Sequence, residues 1–268
     1  MALFRCFVFS VLTVSLALAP SVAGLAHAGW VIDDGREETR ISKGRVLRRG
    51  PGATMVDLKT GKLWITGVEK PVYWEGTVDE YCRLQRAEFL SAVAQLREKI
   101  AKESPEERAR FKDDIAELEK RLRRMGVLSG EIAKPLRVMI EQTPETATIA
   151  GQLTRKYRVR ANGSLYQELW LTTSPALARE LALEGASETW GRFWGCWNGE
   201  FGDVEETREY RQLFWLGWPL KIVSYKFKDP FVEIETIRVE LRDVPDHEFN
   251  PPATLKKVPL TDLLREGL

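Results

Sequence analysis

Between Leu213 and Val244 the chain passes from a continuous apolar run to strict alternation. After Leu213-Phe214-Trp215-Leu216-Gly217-Trp218-Pro219-Leu220, the apolar Val223, Tyr225 and Phe227 alternate with Ser224, Lys226 and Lys228. Beyond an Asp229-Pro230 turn, Ile237, Val239 and Leu241 alternate with Arg238, Glu240 and Arg242. Side chains on a strand point to opposite faces with a period of two, so this spacing predicts antiparallel strands with one apolar and one wet face. The apolar phase slips from Val232 and Ile234 to odd positions at Ile237, which predicts a β-bulge near Thr236 and a bent sheet. Such a sheet needs a cover over its apolar side.

The first 28 residues carry one early charge, Arg5, an apolar run from Cys6 to Ala19, and a small-x-small ending, Ala26-His27-Ala28. This is the pattern of a secretory signal peptide, and the run is shorter than the roughly 20 residues of a membrane-spanning helix. The chain is therefore expected to be periplasmic or secreted, and not membrane-spanning once the leader is cleaved. Forty Lys and Arg face 39 Asp and Glu, and Arg5 is the leader's one charge, so the exported part balances to zero. That balance argues against nucleic acid as a partner. Two cysteines lie beyond the leader, Cys82 and Cys196. In an oxidising compartment they are a disulfide candidate; two separately buried thiols are the alternative.

Along the chain, short strands are expected from Thr39 to Glu75, with turns at Lys43-Gly44 and Thr60-Gly61 and a loop at Arg48-Arg49-Gly50-Pro51-Gly52. At Thr77-Val78-Asp79-Glu80 a capping box opens a helix to about Glu103, and Ser104-Pro105-Glu106-Glu107 opens a second that stops at Gly126. Phe89, Val93, Leu96 and Ile100 repeat the spacing of Phe111, Ile115, Leu118 and Leu122, which predicts an antiparallel helical hairpin over 78–126. Its remaining surface is highly charged. Strands resume with a short Arg137–Ile140 run, then flank the Asn162-Gly163 hairpin turn. A two-residue loop there puts Tyr166 and Trp170 beside Val159, whereas a three-residue loop puts Leu165, Leu169 and Leu171 there. Residues 174–212 read as a second, helical and aromatic lid, opened by Ser174-Pro175. Five of the nine tryptophans crowd between Thr189 and Pro219, spaced by glycines. Residues 29–260 form one domain in this reading, and 261–268 a polar tail.

Catalytic chemistry finds little to build on. His247 is the one histidine beyond the leader, and it follows Pro245 where a strand ends. There is no nucleophile elbow, no zinc-ligand spacing and no phosphate-binding glycine loop. No catalytic residue, metal or cofactor is expected, and the protein is read as a non-enzyme. Tryptophan and phenylalanine bury large areas, and a glycine-spaced aromatic loop beside a one-sided sheet is suited either to plug the sheet as core or to line an apolar pocket.

Several segments carry a resemblance. Met55-Val56-Asp57-Leu58, Trp64, Tyr73-Trp74-Glu75-Gly76, Ile149-Ala150-Gly151, Tyr157-Arg158-Val159, Glu168-Leu169-Trp170 and Gly217-Trp218-Pro219-Leu220 resemble a secreted bacterial family, domain-of-unknown-function family 4412. The stretch from Gly217 through Phe249-Asn250-Pro251 is also similar to the periplasmic lipoprotein-carrier superfamily. The resemblance implies an incomplete antiparallel barrel whose concave apolar face is lidded by helices.

The expectation is thus a mainly β, α+β chain: a curved antiparallel sheet forming an incomplete barrel, with an inserted helical hairpin and a short helical lid. It would carry an amphiphilic or apolar ligand, a lipid or lipoprotein acyl chain, through Trp194, Trp197, Phe214, Trp215, Trp218, Tyr225 and Phe227. The alternative is a structural or assembly module that binds another envelope protein through its helical hairpin.

Overall fold

The computed structural model describes residues 28–106, 111, 116, 136–181, 183–197 and 204–265. The leader up to residue 27 and nearly all of the second helix of the expected hairpin lie outside the described residues. The described chain is mixed α+β, mostly sheet. It holds two sheets, neither closed into a barrel.

The first sheet is a meander. Its strands β1 (Ala28–Asp33), β2 (Glu38–Ser42), β3 (Arg45–Arg49), β4 (Ala53–Asp57), β5 (Lys62–Thr66) and β6 (Val72–Thr77) pair in sequence order. The turns are the expected ones: Lys43 and Gly44 both take positive φ, as does Gly61. Helix α1 (Val78–Ala101) follows, with the Thr77 side chain accepting from the Glu80 amide as a capping residue should. The second sheet holds β7 (Val138–Ile149), β8 (Gln152–Ala161), β9 (Ser164–Thr172), β10 (Pro219–Ser224) and β11 (Phe231–Glu235), also a meander. Between β9 and β10 come α2 (Pro175–Glu180), α3 (Leu183–Trp197), a short 3₁₀ turn, α4 (Arg208–Arg211) and α5 (Leu213–Leu216). Strand β12 (Arg238–Asp243) returns to the first sheet beside β1, and β13 (Lys256–Lys257) adds a parallel edge beside β6.

Both faces of the first sheet are covered. Trp30, Ile32, Val46, Val56, Leu63 and Ile65 join β8–β10 and the helices in the main core. Val31, Leu47, Met55 and Trp64 face the other way, under Val244 and Phe249. The Trp64 indole N–H donates to the Phe249 carbonyl at 2.8 Å, which gives that buried donor its acceptor. A continuous apolar run such as Trp30-Val31-Ile32 fits a strand buried on both sides.

Three expectations need correction. The phase slip near Thr236 is not a bulge: the chain changes sheets there. The Thr236 amide donates to Leu220 of the second sheet at 2.8 Å, and the Ile237 amide donates to Asp33 of the first at 2.8 Å. In β10 the inward residues are Leu220, Ile222 and Ser224, so Val223 and Tyr225 lie on the opposite, half-buried face. On β12 the odd residues do face the side of Trp30 and Ile32, but at a sheet edge Ile237 and Leu241 stay 64% and 51% exposed. At the end of the described residues, α6 (Leu260–Arg265) buries Leu260 and Leu263 in the main core.

The open question at Asn162-Gly163 resolves in both directions. The turn has two residues, both at positive φ, with Ala161 opposite Ser164. A register shift after Val159 then restores Leu169 and Leu171 to the core side, with Leu169 opposite Tyr157. A second tight turn, Ala150-Gly151, joins β7 to β8 and makes β7 far longer than the expected short run. Ala150 sits at φ 47°, where an L-residue other than Asn or Gly is disfavoured by roughly 1–2 kcal/mol. Ala150→Asn is therefore expected to stabilise the protein by about 1 kcal/mol. An unchanged urea midpoint would show that the turn stores no strain.

Candidate functional site

The two sheets and α3 meet around one aromatic group. Trp190 of α3 lies 5.6 Å from Phe193, 5.9 Å from Trp194 and 5.3 Å from Trp218, ring centre to ring centre. Phe193 continues the contact to Tyr81 of α1, and Tyr81 to Trp74 of β6. Burial pushes the Tyr81 hydroxyl well above its ordinary pKa, although the Gln85 amide donates to it at 2.7 Å. The Cys82–Cys196 disulfide ties α1 to α3 directly beside this group, with the two Cα atoms 5.4 Å apart.

Under α3 lies a narrow gap. Ile32 of β1, Ile222 of β10 and Ile234 of β11 form its walls, and Trp190, Trp194, Phe214 and Trp218 cover it. Asp34, Glu37 and Arg48 stand at its rim. Arg48 pairs with Glu37 and lies 4.6 Å over the Trp194 ring, a cation–π contact. The gap is open to one side and small, about 40 Å³, the scale of a water molecule and far short of a lipid tail. Trp190 is buried, and its indole N–H meets no acceptor among the described residues. Leaving such a donor unpaired costs about 1–3 kcal/mol. Glu37 and Arg48 also border a wider cleft of about 330 Å³, lined by the Gly50–Thr54 loop, Thr66, Val68 and Phe193.

Of the seven residues singled out as ligand contacts, Trp194, Phe214 and Trp218 converge on this gap. Trp215 lines a separate cleft, 52% exposed. Tyr225 sits on the outer face of the second sheet, its hydroxyl donating to Glu168 at 3.1 Å. Phe227 is 70% exposed beyond the end of β10, against Phe231. Both were placed by the odd-numbered face of β10, which turns out to point outwards. The Trp197 side chain lies outside the described residues. Trp190, Arg48 and Glu37 were not singled out. Glycine directly after Trp190 was the available signal, because a helix interior tolerates glycine only where something packs closely.

The outer face of the second sheet carries an ion-pair cluster. Lys156 and Glu168, both nearly buried, pair at 2.8 Å, and Arg158 adds a contact to Glu168 at 3.0 Å. Burial pushes the Glu168 carboxyl up, but Lys156, Arg158 and Tyr225 outweigh it and hold it below its ordinary value. Every charge there has an internal partner, which marks a structural rivet. His247 is exposed on a 3₁₀ turn. Among the described residues no three His, Cys, Asp or Glu side chains gather to hold a metal, and no helix is long and apolar enough to cross a membrane.

No protein-family model matches the chain, and no curated protein matches it. Among solved structures it is similar to one described as "Structure of PNGF-II in C2 space group", at 10% identity and a TM-score of 0.35. The alignment covers 90% of this chain and 32% of that one, so this chain spans about a third of that protein's length. So slight a likeness carries no argument about activity.

Proposed function

We infer that the protein is an exported, non-enzymatic carrier of an amphiphile in the cell envelope, with the two sheets acting together as an incomplete barrel and α2–α5 as its lid. The observation that carries this reading is the gap under α3. Its walls come from both sheets, its cover is aromatic, and its charged rim, Glu37 and Arg48, is shared with the wider cleft that Thr54 and Thr66 also line. That order of surfaces suits a molecule with an oily tail and a polar head. The tail lies under α3, and the head rests against Arg48 and the threonines of the neighbouring cleft. With room for about one water at rest, the tail enters only as the rings of Trp194 and Trp218 give way. Apolar area lost between rings is regained against the tail, at roughly 25 cal/mol per Å², so the exchange is nearly balanced and reversible. An oxygen of the guest near Trp190 would also satisfy its unpaired N–H.

Binding is therefore expected to change the tryptophan environment. Titration with a brominated long-chain fatty acid should quench the emission, and Ile234→Trp, which fills the gap from an edge strand, should suppress the quench. Solvent extraction of protein purified from the periplasm should release lipid. Lipid-free extracts together with unquenched emission would sink the carrier reading.

A further inference from the structure

On the far side of α3 from the gap, Arg208, Arg211, Gln212 and Trp215 line a cleft of about 320 Å³, with Glu188 of α3 as the opposite wall. Their spacing of three, one and three places the four on one helical stripe across α4 and α5. Trp215 leaves half of its surface in water although the rest of the aromatic segment is largely buried. Neither arginine is paired with a carboxylate among the described residues. Arg211 is also held in place. A Cβ on Gly191 would lie 2.6 Å from Arg211 Cγ, so the stem of Arg211 occupies the space that this mid-helix glycine leaves open. Glycine within a helix costs about 1 kcal/mol against alanine, and the arginine stem is what fills the site.

We propose that this cleft is a second binding site, for a singly charged acidic sugar, a pyranose bearing a carboxylate or a sulfate ester. The exposed indole offers a flat apolar platform for the C–H face of a sugar ring. Arg208 and Arg211 present forked donors to the acid group. Gln212 and Glu188 exchange hydrogen bonds with hydroxyls; Glu188 accepts only, which selects a hydroxyl-rich neighbour and disfavours dense negative charge. Arg192 lies 3.9 Å from Glu188 and offsets its charge, so Arg208 and Arg211 leave the cleft positive and suited to an acid group. The site does not depend on the amphiphile reading, since the two cavities share no lining residue.

The test is titration of the full exported chain with a glucuronate-containing oligosaccharide and with its carboxyl-reduced counterpart, followed by calorimetry. The acidic sugar should bind about tenfold or more tightly than the reduced one. Trp215→Ala should abolish binding of both with only a small drop in melting temperature, because half of the ring is in water. Arg208→Gln and Arg211→Gln should each erase the preference for the acid while leaving weak binding of the neutral sugar. Equal affinity for the two sugars, no binding by the unaltered chain, or full binding by Trp215→Ala would each overturn the proposal.

Discussion

Gly217→Ala is expected to destabilise the protein by about 3–5 kcal/mol. Gly217 has φ 155°, and a Cβ there would lie 2.1 Å from the Thr172 carbonyl oxygen and 3.1 Å from its carbon. That neighbour is backbone in the last residue of β9, so it cannot swing aside as a side chain would. The close approach has a purpose: the Thr172 amide donates to the Trp218 carbonyl at 2.9 Å, and Trp218 is delivered into the aromatic group. Gly151→Ala is the control. It also has positive φ, but nothing lies within 4 Å of the added atom, so only the conformational cost of roughly 1 kcal/mol is expected. Chemical denaturation of the two variants separates the effects. Equal losses would mean that the contact with Thr172 relaxes at no cost.

Removing the Cys82–Cys196 bridge is expected to cost about 4–5 kcal/mol, because it closes a loop of 114 residues. At this chain length that corresponds to a drop in melting temperature of about 10–15 °C. Reduction, Cys82→Ser and Cys196→Ser should all give the same drop, and the exported protein should take up no alkylating reagent before reduction. A melting temperature indifferent to reductant would show that the packing of α1 on α3 needs no covalent help. The bridge also bears on binding: if α3 is a cover, it opens with α1 attached.

Much of this architecture was legible from local chemistry. The glycine turns at Lys43-Gly44, Thr60-Gly61 and Asn162-Gly163, the Thr77 cap and the alternation in β2–β5 each depend on a few neighbouring residues. What escaped depends on tertiary surroundings. β1 has no alternation because Val31 and its neighbours are buried on opposite faces. Ala150 gives no turn signal, since alanine rarely accepts positive φ. In β10 two phases compete, Leu220 and Ile222 against Val223 and Tyr225, and burial rather than hydropathy chose the first. The candidate site was half legible for the same reason. Aromatic density marked the segment, but which rings meet depends on the Gly217 step and on α3 lying across both sheets.

The pairing of β1 with β12 sets the moment at which the molecule can be completed. Local hairpins such as β2–β3 and β8–β9 can zip as soon as they are synthesised, whereas partners two hundred residues apart close only after a large loss of chain freedom. Until residue 243 is made, the opening strand stands bare along one side and is a template for the same strand of a neighbouring copy. A fragment ending before residue 238 would keep that liability for good, however sound the rest of its packing.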